Sequence, residues 1–186
     1  LESFHGHPNA AAIAPAIANL GNADRAIRFV ARIALEFQPV ENWREAALKL
    51  REPRAIVTAA YALARCGSKQ DQAALSDKLA SIDFGGLPEA TQLELLRAYE
   101  LVWLRLAPPI DTQREKALKQ LNSQFPSRSG LLNRELAVVL CYLKAPTIVA
   151  LCVHQLRLSS AQEDQIHYAF CLRDADTGWN DELRRG

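Results

Sequence analysis

Residues 53–67, PRAIVTAAYALARCG, decide the fold because they describe one complete helix. Proline is favoured at the first position of a helix, where its missing N–H has no partner, and glycine is favoured just past the last turn. Between Pro53 and Gly67, apolar residues stand at Ile56 and then three, four, six and seven positions later. That spacing places them on one face of a helix. The stretch therefore predicts an amphipathic helix with a defined start and end.

The same apolar spacing, here called the template, occurs in full four times along the chain, and a fifth copy has Arg173 in place of its last apolar residue. Its copies begin at Ile27, Ile56, Leu95, Leu136 and Ile166, so that successive copies lie 29 to 41 residues apart. Each interval has room for a second helix and two turns. A pair of antiparallel helices cannot bury its apolar face alone, whereas stacked pairs can. The repeats predict an all-α fold, namely a HEAT-like α-solenoid of about five antiparallel helix pairs. In this solenoid the template faces should be buried. A compact multi-helix bundle is the alternative.

Helix start signals set the expected boundaries. Asn22 is the expected N-cap of a helix over 23–37, and capping boxes are expected at Ser68–Asp71 and Ser160–Glu163. Pro15 falls inside the alanine-rich segment 10–20 and should break or kink an ordinary helix there. We interpret 1–22 as the remnant of a preceding repeat and 23–186 as the HEAT-like helical-repeat domain, truncated at its C-terminus.

Composition excludes several classes of protein. The chain has 186 residues, of which 49% are apolar, and its 22 Lys and Arg against 21 Asp and Glu give a formal net charge of +1. Global disorder is not expected at that apolar content. The charge balance lacks the basic excess of a dedicated nucleic-acid binder. No uninterrupted apolar run approaches the roughly 20 residues of a membrane span, so no membrane insertion is expected.

The four cysteines form no recognisable motif. Cys66, Cys141, Cys152 and Cys171 include no C-x-x-C pair. We expect free thiols on helices, with one inter-helix disulfide or a metal site as alternatives. Cys141 and Cys171 occupy equivalent template positions, which on packed helices are about 8–10 Å apart. That separation exceeds the limit of about 7 Å between Cα atoms for a disulfide, so no bond between these two is expected.

No residue is assigned to catalysis, to a cofactor or to a metal. The chain has neither a glycine-rich phosphate loop followed by Lys and Ser or Thr nor a G-x-S-x-G elbow. Arg25, Arg28 and Arg32 share a helix face that suits an acidic partner, although nearby glutamates also suit a salt-bridged face. Trp43 and Trp179 stand near helix starts, where a tryptophan serves either as a partner anchor or as packing between repeats. These five residues are the candidate partner surface.

Equivalent positions in the last two copies predict one specific contact. Arg134 and Asp164 each precede the start of their template by two residues. If the two helices are neighbours in register, these side chains face each other, and the arginine fork suits a carboxylate. We therefore predict a structural pair that orients one repeat on the next.

Four strings resemble one protein family. They are DRAIRFVARIALE at 24–36, LNREL at 132–136, QEDQIHYAFCLR at 162–173 and TGW at 177–179. Together they resemble the helical-repeat region of large exported planctomycete proteins. In that family the HEAT-like repeats lie between a sorbosone-dehydrogenase-like β-propeller and a C-terminal c-type cytochrome domain. The resemblance implies an extracytoplasmic redox parent, but this chain contains none of the family's redox motifs, so no catalytic or haem residue is transferred to it.

The sequence thus predicts a non-catalytic scaffold or protein-interaction module without a cofactor. Its expected partners are other domains of a parent chain or a separate protein. Two alternatives stay open: a nucleic-acid enzyme of the HEAT-like DNA-glycosylase type, and a haem- or metal-associated redox module. A positive, aromatic-lined groove would favour the first alternative, and an optical spectrum with metal analysis would test the second.

Overall fold

The computed structural model describes residues 1–185, and this range is entirely helical in its regular structure. About 71% of the residues lie in helices, and residues 1–185 contain no strand. The α-helices are α1 Ile13–Asn19, α2 Arg25–Glu36, α3 Arg44–Leu48, α4 Pro53–Cys66, α5 Gln72–Ala80, α6 Glu89–Arg105, α7 Asp111–Leu121, α8 Gly130–Tyr142, α9 Ile148–Leu158, α10 Gln162–Arg173 and α11 Asp181–Arg185. Short 3₁₀-helices cover Glu2–Phe4, Ala10–Ala12, Val40–Asn42, Lys69–Asp71 and Asn122–Gln124. The predicted all-α class is confirmed.

The chain forms two compact units. Unit 1 comprises Leu1–Ile82 with Arg97–Gln113, and unit 2 comprises Asp83–Leu96 with the chain from Arg114 onward. Helix α6 therefore contributes its first half to unit 2 and its second half to unit 1. Residues 1–22 belong to unit 1, where α1 packs on α2, so residue 22 is not a boundary between the units.

Unit 1 is built around α2 and α4. Helix α2 packs on both α1 and α4, and α3 packs on α4 and α5. Many of the core side chains are alanines, which are small enough to allow helices to approach closely. Trp43 is fully buried in this core and donates its indole N–H to the carbonyl of Gln38 at 3.3 Å. Burying an indole of this size, with its donor satisfied, is a major apolar contribution to the core.

Helix α4 begins and ends as the sequence predicts. Pro53 is its first residue, and Gly67 follows its last residue, Cys66. The carboxylate of Glu52 caps the start by accepting the backbone N–H groups of Arg54 and Ala55. The next start signal is also confirmed, because Ser68 and Asp71 form a reciprocal capping box.

Three local expectations are wrong. Helix α2 starts two residues later than predicted, and its cap is Asp24, which accepts the N–H of Ala26, whereas Asn22 accepts the N–H of Asp24. Ser160 does not cap α10, whose N-cap is Ala161 without a side-chain bond. Pro15 does not break its helix because α1 begins at Ile13. It therefore lies in the first turn, where a backbone N–H has no intrahelical partner to lose.

Unit 2 contains three mutually packed helices, α8, α9 and α10. Their shared core is apolar and includes Leu136, Leu140, Val149 and Tyr168, together with the buried thiol of Cys152. The connection from α8 to α9 is short, as expected for two helices that pack as neighbours.

Burial of the template face holds in α4 but fails in α10. All five template residues of α4 are buried, and so are most of those in α6 and α8. In α2, by contrast, Ile27 is exposed. In α10 the prediction is wrong: Ile166, Ala169 and Phe170 are exposed, and Tyr168 and Leu172 are the buried residues. Helix α10 is rotated so that a different row of side chains faces α8 and α9.

Candidate functional site

The predicted contact between Arg134 and Asp164 is present. Nε and Nη2 of Arg134 lie 2.7 and 2.5 Å from the same oxygen, Oδ1 of Asp164. The second carboxylate oxygen accepts the hydroxyl of Ser159 at 3.3 Å. Asp164 lies in the first turn of α10, where a carboxylate interacts favourably with the helix dipole. The pair thus ties α8 to the start of α10.

His167 adds a second polar connection between the same two helices. Its Nε2 lies 3.0 Å from the backbone carbonyl oxygen of Arg134 and 3.5 Å from Sγ of Cys171. A carbonyl oxygen can only accept, so Nε2 carries the proton and donates it to Arg134. The imidazole is therefore held by α8 while it contacts the thiol one turn further along α10.

The row of α10 that faces its neighbours is unusually polar. Asp164, His167, Tyr168, Cys171 and Leu172 recur at three- and four-residue spacing and lie on one side of the helix. All five are buried or half-buried. Sequence reasoning missed this row because the residues on the opposite side of α10 match the apolar template. The three- and four-residue spacing of these five residues is the signal that could have revealed the row.

The opposite row of α10 is apolar and faces solvent. Ile166 and Phe170 are 61% and 60% exposed, and Ala169 between them is exposed as well. The guanidinium of Arg173 lies over the ring of Phe170, 4.2 Å from its centroid. We call Ile166, Ala169, Phe170 and Arg173 the α10 outer face. A helix that turns its larger apolar side chains outward is typical of an interaction surface.

The basic residues of α2 do not form an open surface. Arg28 is only 8% exposed, and its Nη1 donates to the carbonyls of Asn22 and Ala23 at 2.9 and 3.2 Å. Arg32 pairs with Glu36 at 3.4 Å and lies over the ring of Phe29. Of the three arginines, Arg25 is the exposed one. The predicted partner surface on this helix is wrong for Arg28, because its guanidinium satisfies carbonyls at the helix start.

The two candidate tryptophans are both engaged internally. Trp43 is in the core of unit 1, so its assignment to a partner surface is wrong and the packing alternative is correct. Trp179 is half-buried in unit 2 and donates its indole N–H to the carbonyl of Ala175 at 2.8 Å. That bond fixes the ring against the turn that follows α10.

Unit 1 holds its own buried charged group. Glu36 pairs with Arg65 at 3.2 Å in addition to Arg32, and its side chain is almost fully buried. Burial raises the pKa of Glu36, and the nearby Arg32, Arg65 and Arg105 only partly oppose that rise. Cys66 lies beside it and donates to the backbone carbonyl of Glu36 at 3.6 Å. The cluster joins α2 to α4.

Three of the cysteines lie on packed helices of unit 2. Cys141 is in α8, Cys152 in α9 and Cys171 in α10, and these helices pack on one another. Interaction with the thiol of Cys152 lowers the pKa of Cys141, whereas burial raises the pKa of Cys171 to about 12. All four cysteines of the chain are free thiols.

Neither metal nor membrane chemistry is indicated by the part of the chain described. Within residues 1–185, no group of three or more His, Cys, Asp and Glu side chains is arranged to hold a metal ion. Over the same range, every helix is too short or too polar to cross a bilayer.

Comparison with known proteins gives no relative. No family model matches the chain, and neither a curated protein nor a solved structure matches it significantly.

Proposed function

We propose that this chain is a non-catalytic, HEAT-like helical-repeat module that binds a protein partner through the α10 outer face. The partner is either another domain of a parent chain or a separate protein. The observation that carries the proposal is the orientation of α10. Its polar row packs inward, while Ile166 and Phe170 face solvent. Aromatic residues, phenylalanine included, and arginine are enriched at protein–protein interfaces.

The repeat architecture is supported by packing inside each unit. In unit 1, α2 and α4, which carry successive template copies, pack on each other, as do the intervening helices α3 and α5. In unit 2, α8 and α10 pack on each other with α9 against both. A solenoid requires this alternation of first and second helices. The contact of Arg134 with Asp164 at equivalent positions of successive copies supports the same register.

The nucleic-acid alternative finds no support on α2. A DNA-binding groove needs several arginines that are free to reach phosphates. Arg28 donates to carbonyls and Arg32 pairs with Glu36, so their charges are used within the unit. The charges of Arg28 and Arg32 are therefore accounted for without a nucleic acid.

Site-specific photo-crosslinking tests the proposed surface. A photo-reactive phenylalanine analogue replaces Phe170 in one variant and His154 in a matched control; His154 is exposed on α9, outside the outer face. In an extract of the source organism, we expect one discrete adduct from position 170 and none from position 154. The adduct should disappear when unlabelled wild-type chain is added in excess but persist with Phe170→Asp as competitor.

The captured protein must then bind the purified chain directly. We expect a saturable 1:1 complex in calorimetry, weakened at least about tenfold by Phe170→Asp, which corresponds to about 1.4 kcal/mol. Equal crosslinking from positions 170 and 154, or unchanged affinity of Phe170→Asp, would refute the α10 outer face as the binding surface.

A further inference from the structure

The α10 outer face belongs to a regular row of exposed side chains. Glu163, Ile166, Phe170 and Arg173 follow one another at spacings of three, four and three residues, and all four are exposed. This is the spacing of the residues at which two helices meet in a coiled coil. From Glu163 to Arg173 the row extends along about 15 Å of helix. Helix α10 thus presents a short seam that suits the side of a second helix, and the small side chain of Ala169 beside it allows close approach.

The row is complementary to itself when a second copy of α10 runs in the opposite direction. Its outer positions are an acid and a base, Glu163 and Arg173, and its inner positions are apolar, Ile166 and Phe170. An antiparallel copy places its Arg173 opposite Glu163 and its Phe170 opposite Ile166, and two-fold symmetry repeats both contacts. A parallel copy would instead bring like charges together at both ends, which is unfavourable. The order of charges therefore selects the antiparallel arrangement.

The existing contacts of Arg173 leave it able to bind a second carboxylate. Its Nε and Nη2 donate to the carboxylate of Asp174 at 3.1 and 3.0 Å. These bonds use two of the five N–H donors of the guanidinium. Both side chains are more than half exposed, so solvent weakens this pair and its geometry is easily adjusted. The guanidinium also lies over the ring of Phe170, which keeps the charge beside the apolar part of the row.

We propose that two copies of this chain pair through antiparallel α10 helices, with Ile166 against Phe170 at the centre and Glu163 against Arg173 at each end. This inference names a second copy as one protein that the α10 outer face binds, and so it rests on the proposed function. Four side chains per copy are far fewer than the roughly 20–30 residues a side of a standard interface. The dimer is therefore weak, with a dissociation constant on the order of 100 μM. At low micromolar concentration the face stays open to other partners.

Two charge reversals test the register by sedimentation equilibrium. Glu163→Lys alone sets Lys against Arg at both ends of the dimer, and Arg173→Glu alone sets Glu against Glu. Each variant should dimerise about tenfold more weakly than wild type, because two repulsive contacts replace two attractive ones. An equimolar mixture of the two variants restores opposite charges at both ends in the mixed dimer. The mixture should therefore associate with an affinity within about threefold of wild type.

An apolar variant and its control test the centre of the seam. Phe170→Asp should abolish dimerisation, whereas Leu104→Asp, at an exposed leucine of α6, should leave it unchanged. Circular dichroism confirms that each variant is folded.

The results separate self-pairing from the proposed function. A wild-type chain that stays monomeric at millimolar concentration, a dimer that Phe170→Asp does not weaken, or a mixture that associates no better than its single variants would overturn self-pairing through α10. The proposed function would still stand if position 170 captured a different protein from the extract. Conversely, a dimer with the expected charge response, together with no captured protein other than the chain itself, would support self-pairing alone.

Discussion

The ion pair between Arg134 and Asp164 should contribute a measurable coupling energy. Arg134→Ala, Asp164→Ala and the double variant form a double-mutant cycle. Charges about 4 Å apart attract by about 1 kcal/mol in water and about 4 kcal/mol at an effective dielectric constant near 20. The two side chains are 37% and 28% exposed, so solvent screening and the ordering of two side chains offset most of the larger figure. We expect a coupling of about 1 kcal/mol, at the upper end of the range for partly exposed pairs.

The two single variants should not cost the same. Asp164 also accepts the hydroxyl of Ser159 and lies in the first turn of α10. Its replacement by Ala should therefore destabilise the chain by about 0.5 kcal/mol more than Arg134→Ala does. Free energies of unfolding come from urea denaturation followed by far-UV circular dichroism, repeated in 1 M NaCl, which should reduce the coupling.

An exposed pair in the same unit is the matched control. Nζ of Lys144 lies 2.6 Å from Oδ2 of Asp176, but both side chains are at least half exposed. The corresponding cycle on Lys144 and Asp176 should give a clearly smaller coupling, because short distance alone does not protect a pair from solvent. Equal couplings in the two cycles, or a coupling below about 0.3 kcal/mol for Arg134 and Asp164, would refute the argument from partial burial.

Three further predictions concern burial, backbone conformation and titration. Leu136→Ala should cost about 3 kcal/mol in the free energy of unfolding, whereas Leu131→Ala on the exposed side of the same helix should cost less than about 0.5 kcal/mol; similar losses would mean that α8 faces its neighbours differently. Gly178→Ala should destabilise the chain by about 1–2 kcal/mol because Gly178 has a φ of +85° and an added Cβ would meet Val149 at 3.2 Å. Gly130→Ala, where an added Cβ meets nothing within 4 Å, should stabilise the chain by about 0.5 kcal/mol. Urea denaturation midpoints report both changes, and an unchanged midpoint for Gly178→Ala would contradict the backbone conformation at Gly178. Burial raises the pKa of Glu36 above its ordinary value of 4.5, so the carboxyl favours folding while protonated and loses that contribution as pH rises through the raised value. The stability of wild type relative to Glu36→Gln should therefore fall from pH 4 to pH 7, and a rise over that range would show that its arginine partners dominate.

The helix boundaries that depend only on a few neighbouring residues could be predicted from the sequence. Pro53 and Gly67 bound α4, and Ser68 with Asp71 makes the next cap, because each signal depends on its own turn. The contact between Arg134 and Asp164 was also predictable, since equivalent positions of repeated helices meet when the repeats stack. The capping predictions needed no knowledge of a distant partner for a polar group, and for Arg134 the repeat itself indicated the partner.

The orientation of α10 could not be predicted because either of two opposite sides of this helix could be the buried one. The row through Ile166 and Phe170 is the more apolar one, so pattern reasoning places it inward. The opposite row contains Asp164 and His167, whose partners are the side chain and carbonyl of Arg134 on another helix. A polar group can be buried when another helix provides a hydrogen-bonding partner. That partner is identified only when the packing of the helices is known.

The same reasoning explains the errors on α2 and at Trp43. Arg28 reads as a surface charge, yet backbone carbonyls at the start of its own helix satisfy its guanidinium. Trp43 precedes a helix of only five residues, Arg44–Leu48, which has too little periodicity to mark a buried side. Its burial follows from the packing of α3 on α4 and α5.

Hydroxyl-radical footprinting of the native chain tests the orientation of α10, on which the proposed binding surface depends. Peptide 158–173 contains two matched pairs, Phe170 with Tyr168 and Ile166 with Leu172, whose members have similar intrinsic reactivity. With rates normalised to the urea-unfolded chain, Phe170 should be oxidised roughly tenfold faster than Tyr168, as their exposed fractions of 60% and 4% imply, and Ile166 should exceed Leu172 in the same sense. Protection of Phe170 and Ile166 in the isolated chain, with Tyr168 and Leu172 reactive, would contradict the account.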